Sequence, residues 1–289
     1  MNISRAVITA AGRSQRTLPL QTLTGRDGVQ KSVLRILVEE ALDAGAEQVC
    51  VVVSPGDEPA YRAAAGERDG RLHFVTQNEA HGYGHSLYSA RDFVNGEPFL
   101  HLVGDHIFVS HVPRGCAGQV MDSARTNSCS VSGVQPTREH LLGLFGSVGG
   151  QRVKGSRDLY EIERVMEKPT PTAAEQALVV PGLRAGHYLC FFGIHVLTPA
   201  IFDLLARRIA KDGGSDLSSA LAELAEQERY LALETRGRRY PLDARYGLLT
   251  AQLALALSGV DRDVVLTEIC ELLAQRELSV QEGAHADGA

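Results

Sequence analysis

The chain has 289 residues, 44% of them hydrophobic and 22% charged, with a formal net charge of −6. That composition suits a soluble globular protein with one large core; its scattered basic residues leave no nucleic-acid footprint, and no apolar run approaches membrane-spanning length. The five cysteines (50, 116, 129, 190 and 270) are widely spaced and form no C-x-x-C, so they read as reduced packing thiols of a cytoplasmic protein that opens on a strand rather than a leader.

In chain order, Ala6–Ala10 is a short apolar strand. Ser32 caps a helix whose Leu34, Leu37, Val38, Ala41 and Leu42 fall at helical spacing, and Gly45 stops it. Strands follow at Val49–Val53, 71–76 and Pro98–Gly104, with helices near 58–65 and 84–94 between them. Alternation of this kind predicts right-handed crossovers and a mostly parallel sheet flanked by helices, a Rossmann-like α/β fold. Ligands of such sheets bind beyond the carboxyl ends of the strands. The loop after Ala10 and the segment after Gly104 both sit there. The second half is less regular, with strands expected near 129–135, 144–148, 159–166 and 187–196. Helices are expected near 199–210, 217–227, 246–257 and 263–276. The domain is read as residues 1–257, with a helical C-terminal extension over 258–280 and a small, polar, disordered tail over 281–289.

The loop "AAGRSQRTLP" carries Gly12, Arg13 and Arg16 directly after the first strand. Backbone amides of such a loop cradle phosphate, and an arginine clamps phosphate oxygens in two parallel hydrogen bonds. It is neither a P-loop nor a G-x-G-x-x-G turn. By itself it reads equally as an exposed basic turn. Likewise Asp105 could be a strand-end cap, Asp243 the N-cap of the next helix, Arg16 a surface arginine, and Glu167–Lys168 an exposed pair before a proline turn.

Six further segments resemble, in order, the motifs of sugar-phosphate nucleotidyltransferases. They are "KSVLRILVEEALDAG", "QNEAHGYGHSLYSA", "HLVGDHIF", "FGSV", "VMEKP" and "RRYPLDARYGLLTA", and the nearest match is to the bacterial UTP–glucose-1-phosphate uridylyltransferases. The resemblance spans roughly residues 5–255. It implies that a sugar-1-phosphate oxygen attacks the α-phosphorus of a nucleoside triphosphate, most simply UTP and glucose-1-phosphate, and that pyrophosphate leaves. It further implies Mg²⁺ on Asp105 and Asp243, and Arg16 against the departing phosphates. Ala10, Ala11, Gly12, Arg13, Arg26, Gln77, Gly82 and Gly84 would contact the nucleotide. Gly146, Glu167, Lys168 and Gly193 would contact the sugar phosphate. Expected partners are these two substrates and further copies of the chain, with no nucleic acid and no membrane. A metal pair formed by His81 and His85 is disfavoured by the glycine turn around them.

Three stretches depart from the family pattern. Ser14 and Gln15 replace a glycine and a threonine, Gly25–Arg26 stand where a proline and a lysine are usual, and Ser32 replaces a proline. Arginine and lysine are not equivalent at a phosphate. Two other readings therefore remain open: a sugar-nucleotide-binding homologue without catalysis, and a nucleotidyltransferase for another base and sugar. A third, a glycosyltransferase with a similar sheet, usually holds metal with a D-x-D; it is disfavoured because "GDHIF" offers only one aspartate and the opening arginine loop would be unexplained.

Overall fold

The computed structural model describes residues 1–12, 16–66, 70–79, 81–212 and 216–286, with residues 276–286 as backbone only. The first half runs β1 (Arg5–Thr9), β2 (Thr22–Thr24), β3 (Gln30–Ser32), α1 (Val33–Ala44), β4 (Gln48–Val53), α2 (Glu58–Ala65), β5 (Leu72–Thr76), α3 (Tyr83–Tyr88), α4 (Arg91–Val94), β6 (Phe99–Val103), β7 (His106–Ser110) and α5 (Cys116–Asn127). The second half adds β8 (Ser130–Arg138), β9 (Ser147–Arg152), β10 (Leu159–Met166), α6 (Pro171–Ala177), β11 (His187–Leu197), α7 (Ala200–Asp212), α8 (Leu217–Gln227), β12 (Tyr230–Glu234), β13 (Gly237–Pro241), α9 (Gly247–Leu257) and α10 (Arg262–Ala286).

Local chemistry accounts for the first units. In β4 every residue after Gln48 is buried, as a strand covered on both faces requires. Helix α1 starts where the Ser32 hydroxyl accepts the Arg35 amide at 3.0 Å and ends where Gly45 turns left-handed at φ 108°. Its Val33, Leu34, Leu37, Val38 and Ala41 are buried against the sheet. Truncating a buried leucine such as Leu37 to alanine costs about 2–5 kcal/mol.

Nine strands form the main sheet in the order β5-β4-β1-β6-β11-β8-β12-β10-β9. The four at one side are parallel; β11 then runs antiparallel to β6 and to β8. Strand order reverses at β1, which has β4 on one side and β6 on the other. That is the switch point at which open α/β sheets bind ligands. Here the ends of β1 and β6 run close, for a Cβ on Gly104 would lie 2.6 Å from the Thr9 carbonyl.

One edge of β11 is shared by two strands. Ile194–Leu197 pair with β6, while Leu189 and Cys190 pair with β9. On its other edge the register with β8 shifts between Phe191 and His195, and Gly193 there has φ 92°. The sheet therefore opens between the end of β6 and the start of β9, next to the switch point. A two-stranded ribbon of β7 and β13 covers this opening, with His106 opposite Pro241.

Several elements differ from the sequence reading. The helical stretch expected over 84–94 is two helices, with Ala90 between them. Helix α10 continues to Ala286, where composition predicts a tail from 281. Strands β7, β12 and β13 and helix α5 were not foreseen. Among the described residues, four cysteines are buried, Cys270 is exposed, and no helix is long and apolar enough to cross a membrane.

Candidate active site

The opening in the sheet is a cavity of about 680 Å³. At one end Ala10, Ala11 and Gly12 line it with backbone. The loop is tied down from outside: the Tyr61 hydroxyl donates to the Ala10 and Arg16 carbonyls at 3.1 and 2.6 Å, and Ser54 Oγ donates to the Ala11 carbonyl at 3.0 Å. Gln77 and Gly82 line the same end. Gln77 Nε2 lies 3.3 Å from the Gly82 carbonyl and 3.0 Å from His85 Nδ1, so its amide is held in one orientation. His85 Nδ1 is used in this way, and His81 Nε2 meets Glu79 Oε2 at 2.6 Å.

Asp105 and Asp243 both line the cavity. The Leu242 amide donates to the Asp105 carbonyl at 2.9 Å, which brings the two acidic residues together although they are distant in sequence. Asp105 Oδ1 lies 2.6 Å from His106 Nδ1, and the Asp105 side chain is 20% exposed. Burial by itself would raise the Asp105 pKa. The hydrogen bond and charge of His106, with Lys168 further off, outweigh it and hold the carboxyl below its ordinary value. Among the described residues no three His, Cys, Asp or Glu side chains converge to hold a metal by themselves. A two-carboxylate donor set suits Mg²⁺ completed by phosphate oxygens and water, and does not suit a closed structural site.

The far end is built from side chains. Gly146 and Gly193 line it with Glu167, Lys168, Phe145 and Phe191. Ser218, near the start of α8, donates to Glu167 Oε2 at 2.5 Å. Lys168 Nζ stands 3.9 Å from Glu167 Oε1. Lys168 also has φ 44°, a region that costs a non-glycine residue about 1–3 kcal/mol and that collects at functional sites.

Three expected residues lie elsewhere. Arg16 is exposed and does not line the cavity; its guanidinium makes two hydrogen bonds to Asp57, with Nε to Oδ2 at 2.8 Å. That partner raises the Arg16 pKa. Arg26 donates from Nε to the Ser258 carbonyl at 3.1 Å, and its own carbonyl accepts from Val260, so it fastens the end of α9 to the β2–β3 hairpin. Gly84 is buried inside α3 rather than facing a ligand. Arg13, with Ser14 and Gln15, lies outside the described residues.

A row of polar side chains under the cavity, all buried except Tyr83, was not expected. Thr9 Oγ1 and the Tyr83 hydroxyl lie 3.1 and 3.2 Å from His101 Nε2. His101 stacks on His195 at 5.5 Å, and His195 Nδ1 meets Ser132 Oγ at 2.5 Å. Ser132 continues the row to the Tyr230 hydroxyl. Thr9, Tyr83, Ser86 and His195 line the cavity. Burial pushes His195 down to about 3 and His101 well below its ordinary value, so both are neutral. The one sequence signal was a histidine inside each of two otherwise apolar strands.

A ligand cavity at the switch point of a largely parallel sheet, walled by strand-end backbone and an acidic pair, defines a nucleotide-binding α/β protein. Comparison narrows the class. The family model described as Nucleotidyl transferase matches residues 5–240, and the chain belongs to that family, in agreement with the resemblance carried by its motifs. It is 26% identical over 302 residues to the UTP–glucose-1-phosphate uridylyltransferase of Bacillus subtilis, covering 95% of this chain and 98% of that one. Against the enzyme of the same name from Streptococcus pneumoniae it is 27% identical, covering 88% and 91%. Among solved structures, a UDP-glucose pyrophosphorylase complexed with UDP-glucose superposes with a TM-score of 0.71 at 22% identity, covering 88% of this chain and 98% of that chain. A UTP-bound enzyme from Acinetobacter baumannii superposes with a TM-score of 0.71 at 19% identity, covering 93% and 99%.

Proposed function

We propose that this chain transfers a uridylyl group from UTP to glucose-1-phosphate, forming UDP-glucose and pyrophosphate. The reading is supported by the names of its full-length relatives. The observation that carries it is the Asp105–Asp243 pair on a cavity that Lys168 and Glu167 also line.

The reaction brings two anions together in line, so positioning and charge neutralisation dominate the barrier. Mg²⁺ on Asp105 and Asp243 would screen the triphosphate and polarise its α-phosphorus. Asp105, held ionised by His106, remains a ligand down to moderately acid pH. The Ala10–Gly12 backbone receives the base and ribose, and Gln77 presents an oriented amide to the base edge. Lys168 meets the acceptor phosphate as a point charge. Glu167, fixed by Ser218, accepts from sugar hydroxyls. The acceptor oxygen then attacks the α-phosphorus as the bond to the β-phosphate oxygen breaks, and pyrophosphate departs.

The placement of Arg16 and Arg26 favours a second reading, a homologue that binds the nucleotide sugar without turnover. Both guanidiniums are engaged away from the cavity. A grid of five nucleoside triphosphates against several sugar-1-phosphates, with pyrophosphate detection and added Mg²⁺, separates the two. The proposal expects the fastest release from UTP with glucose-1-phosphate. Absence of pyrophosphate from every pair, together with tight UDP-glucose binding, would establish the second reading.

A further inference from the structure

A second cleft of about 800 Å³ lies behind the acceptor end of the cavity and shares no lining residue with it. Its walls carry Arg138, Arg157, Arg236 and Arg238, against only Asp158 and Glu234. Both acids already have partners. Asp158 accepts from Ser156 Oγ at 3.1 Å and faces Arg236 at 4.0 Å, and Glu234 accepts the Tyr160 hydroxyl at 3.1 Å. Arg138, Arg157 and Arg238 form no ion pair among the described residues. His111, His140 and His187 add further donors around them. Thr235 also lines the cleft; it is 6% exposed, and its buried hydroxyl has no hydrogen-bond partner among the described residues.

We propose that this cleft is a binding site for a small molecule bearing two or more phosphate groups, and that its occupancy is felt in the wall of the catalytic cavity. Three arginines without ion-pair partners among the described residues, one of them (Arg238) lying over the Tyr240 ring, supply the fork geometry that grips phosphate oxygens. A cleft of this size suits a metabolite-sized ligand, and the excess of positive charge excludes a neutral one.

The two cavities share a partition. Arg138 is the N-cap of a short 3₁₀ segment, Glu139–Leu144, that contributes His140 and Leu141 to the cleft and Gly143 and Leu144 to the catalytic cavity. Phe145 follows and lines the catalytic side. Behind it lies Arg239, 5% exposed, its guanidinium 3.8 Å from the Phe145 ring and 3.1 Å from Thr137 Oγ1. Burial lowers the Arg239 pKa to about 10. Cys190 opposes that shift, and the neighbouring Arg238 charge adds to it. An anion bound at Arg238 relieves this repulsion and tightens the packing of Arg239 on Phe145.

The test titrates inorganic tripolyphosphate calorimetrically into the full chain and into Arg138→Ala/Arg238→Ala, with amide hydrogen exchange followed in both. The expected result is saturable binding with slowed exchange over 136–145 and 234–239 in the wild type. The double variant should keep its circular dichroism and lose the protection of these segments, with cleft affinity at least about tenfold weaker. Protection confined to the segments around Gly12, Asp105 and Lys168 would overturn the proposal, and so would undiminished cleft protection in the variant. Slowed exchange over 234–239 without any at 142–145 would overturn the link to the catalytic wall. Exchange in the wild type reads the site directly even where the variant is unstable, and none of these readouts requires turnover.

Discussion

The two ends of the catalytic cavity are made differently. The end beneath β1 and β6 is backbone: Ala10–Gly12 held by Tyr61 and Ser54, with a single oriented amide from Gln77. The end beneath β9, β10 and β11 is side chain, with Glu167 on Ser218, Lys168 in a rare backbone conformation, and a bulged β11 at Gly193. The loop arginine that the motif assigns to the triphosphate rests on Asp57 outside the cavity. The side-chain end is thus assembled in advance; under the proposed function it takes the acceptor, and the cationic part of the triphosphate end would have to be recruited. Between the ends stands the acidic pair.

The largest effect is expected where the ends meet. Asp105→Asn removes the charge of a proposed metal ligand at nearly constant shape, and kcat should fall about 10³-fold, equivalent to about 4 kcal/mol of barrier. Circular dichroism should stay unchanged, and steady-state rates across a Mg²⁺ series measure the loss. The recruited arginine comes next. Arg16→Ala should lower kcat about 10²-fold with little change in KM for the sugar phosphate. Asp57→Ala, which only releases Arg16, should stay within about threefold of wild type. Equal losses in the two variants would mean that the pair is structural and the arginine is not recruited.

Smaller effects probe the pre-built end. Gly193→Ala places a side chain at φ 92° with its Cβ 2.6 Å from Val103 Cγ2, and should cost about 1–3 kcal/mol in urea unfolding. His195 gives a pH signature. Its folded pKa of about 3 lies below the ordinary 6.5. Between those values the unfolded chain holds a proton that the folded chain does not, so stability falls as pH falls below about 6.5. The contribution lost between pH 8 and pH 5 is about 2 kcal/mol. His195→Asn should be correspondingly less acid-sensitive in urea midpoints taken at those two pH values.

Much of the parallel half was legible in the sequence because short, valine-rich apolar runs such as Val49–Val53 suit strands covered on both faces, and because Ser32 and Gly45 punctuate α1 chemically. The ribbon of β7 and β13 was not legible. Its strands pair across more than a hundred residues, and no local pattern encodes that partner. The site divides in the same way. Asp105, Glu167, Lys168 and Asp243 follow from strand ends and motif order, and the fold gathers all four on one cavity. Arg16 and Arg26 carry motif positions, but their side chains follow the nearest acceptors, Asp57 and the Ser258 carbonyl. The polar row of Thr9, His101 and His195 exists only through cross-strand register, which a linear reading does not contain.

The central claim is that Asp105 and Asp243 share one divalent cation with the nucleotide. Crystals of the full chain grown with Mn²⁺ and UTP test it through anomalous scattering from the manganese. The account predicts one strong peak at coordination distance from both carboxylates and from a phosphate oxygen; a peak that touches neither carboxylate, or that leaves Asp243 turned out of the cleft, would contradict it.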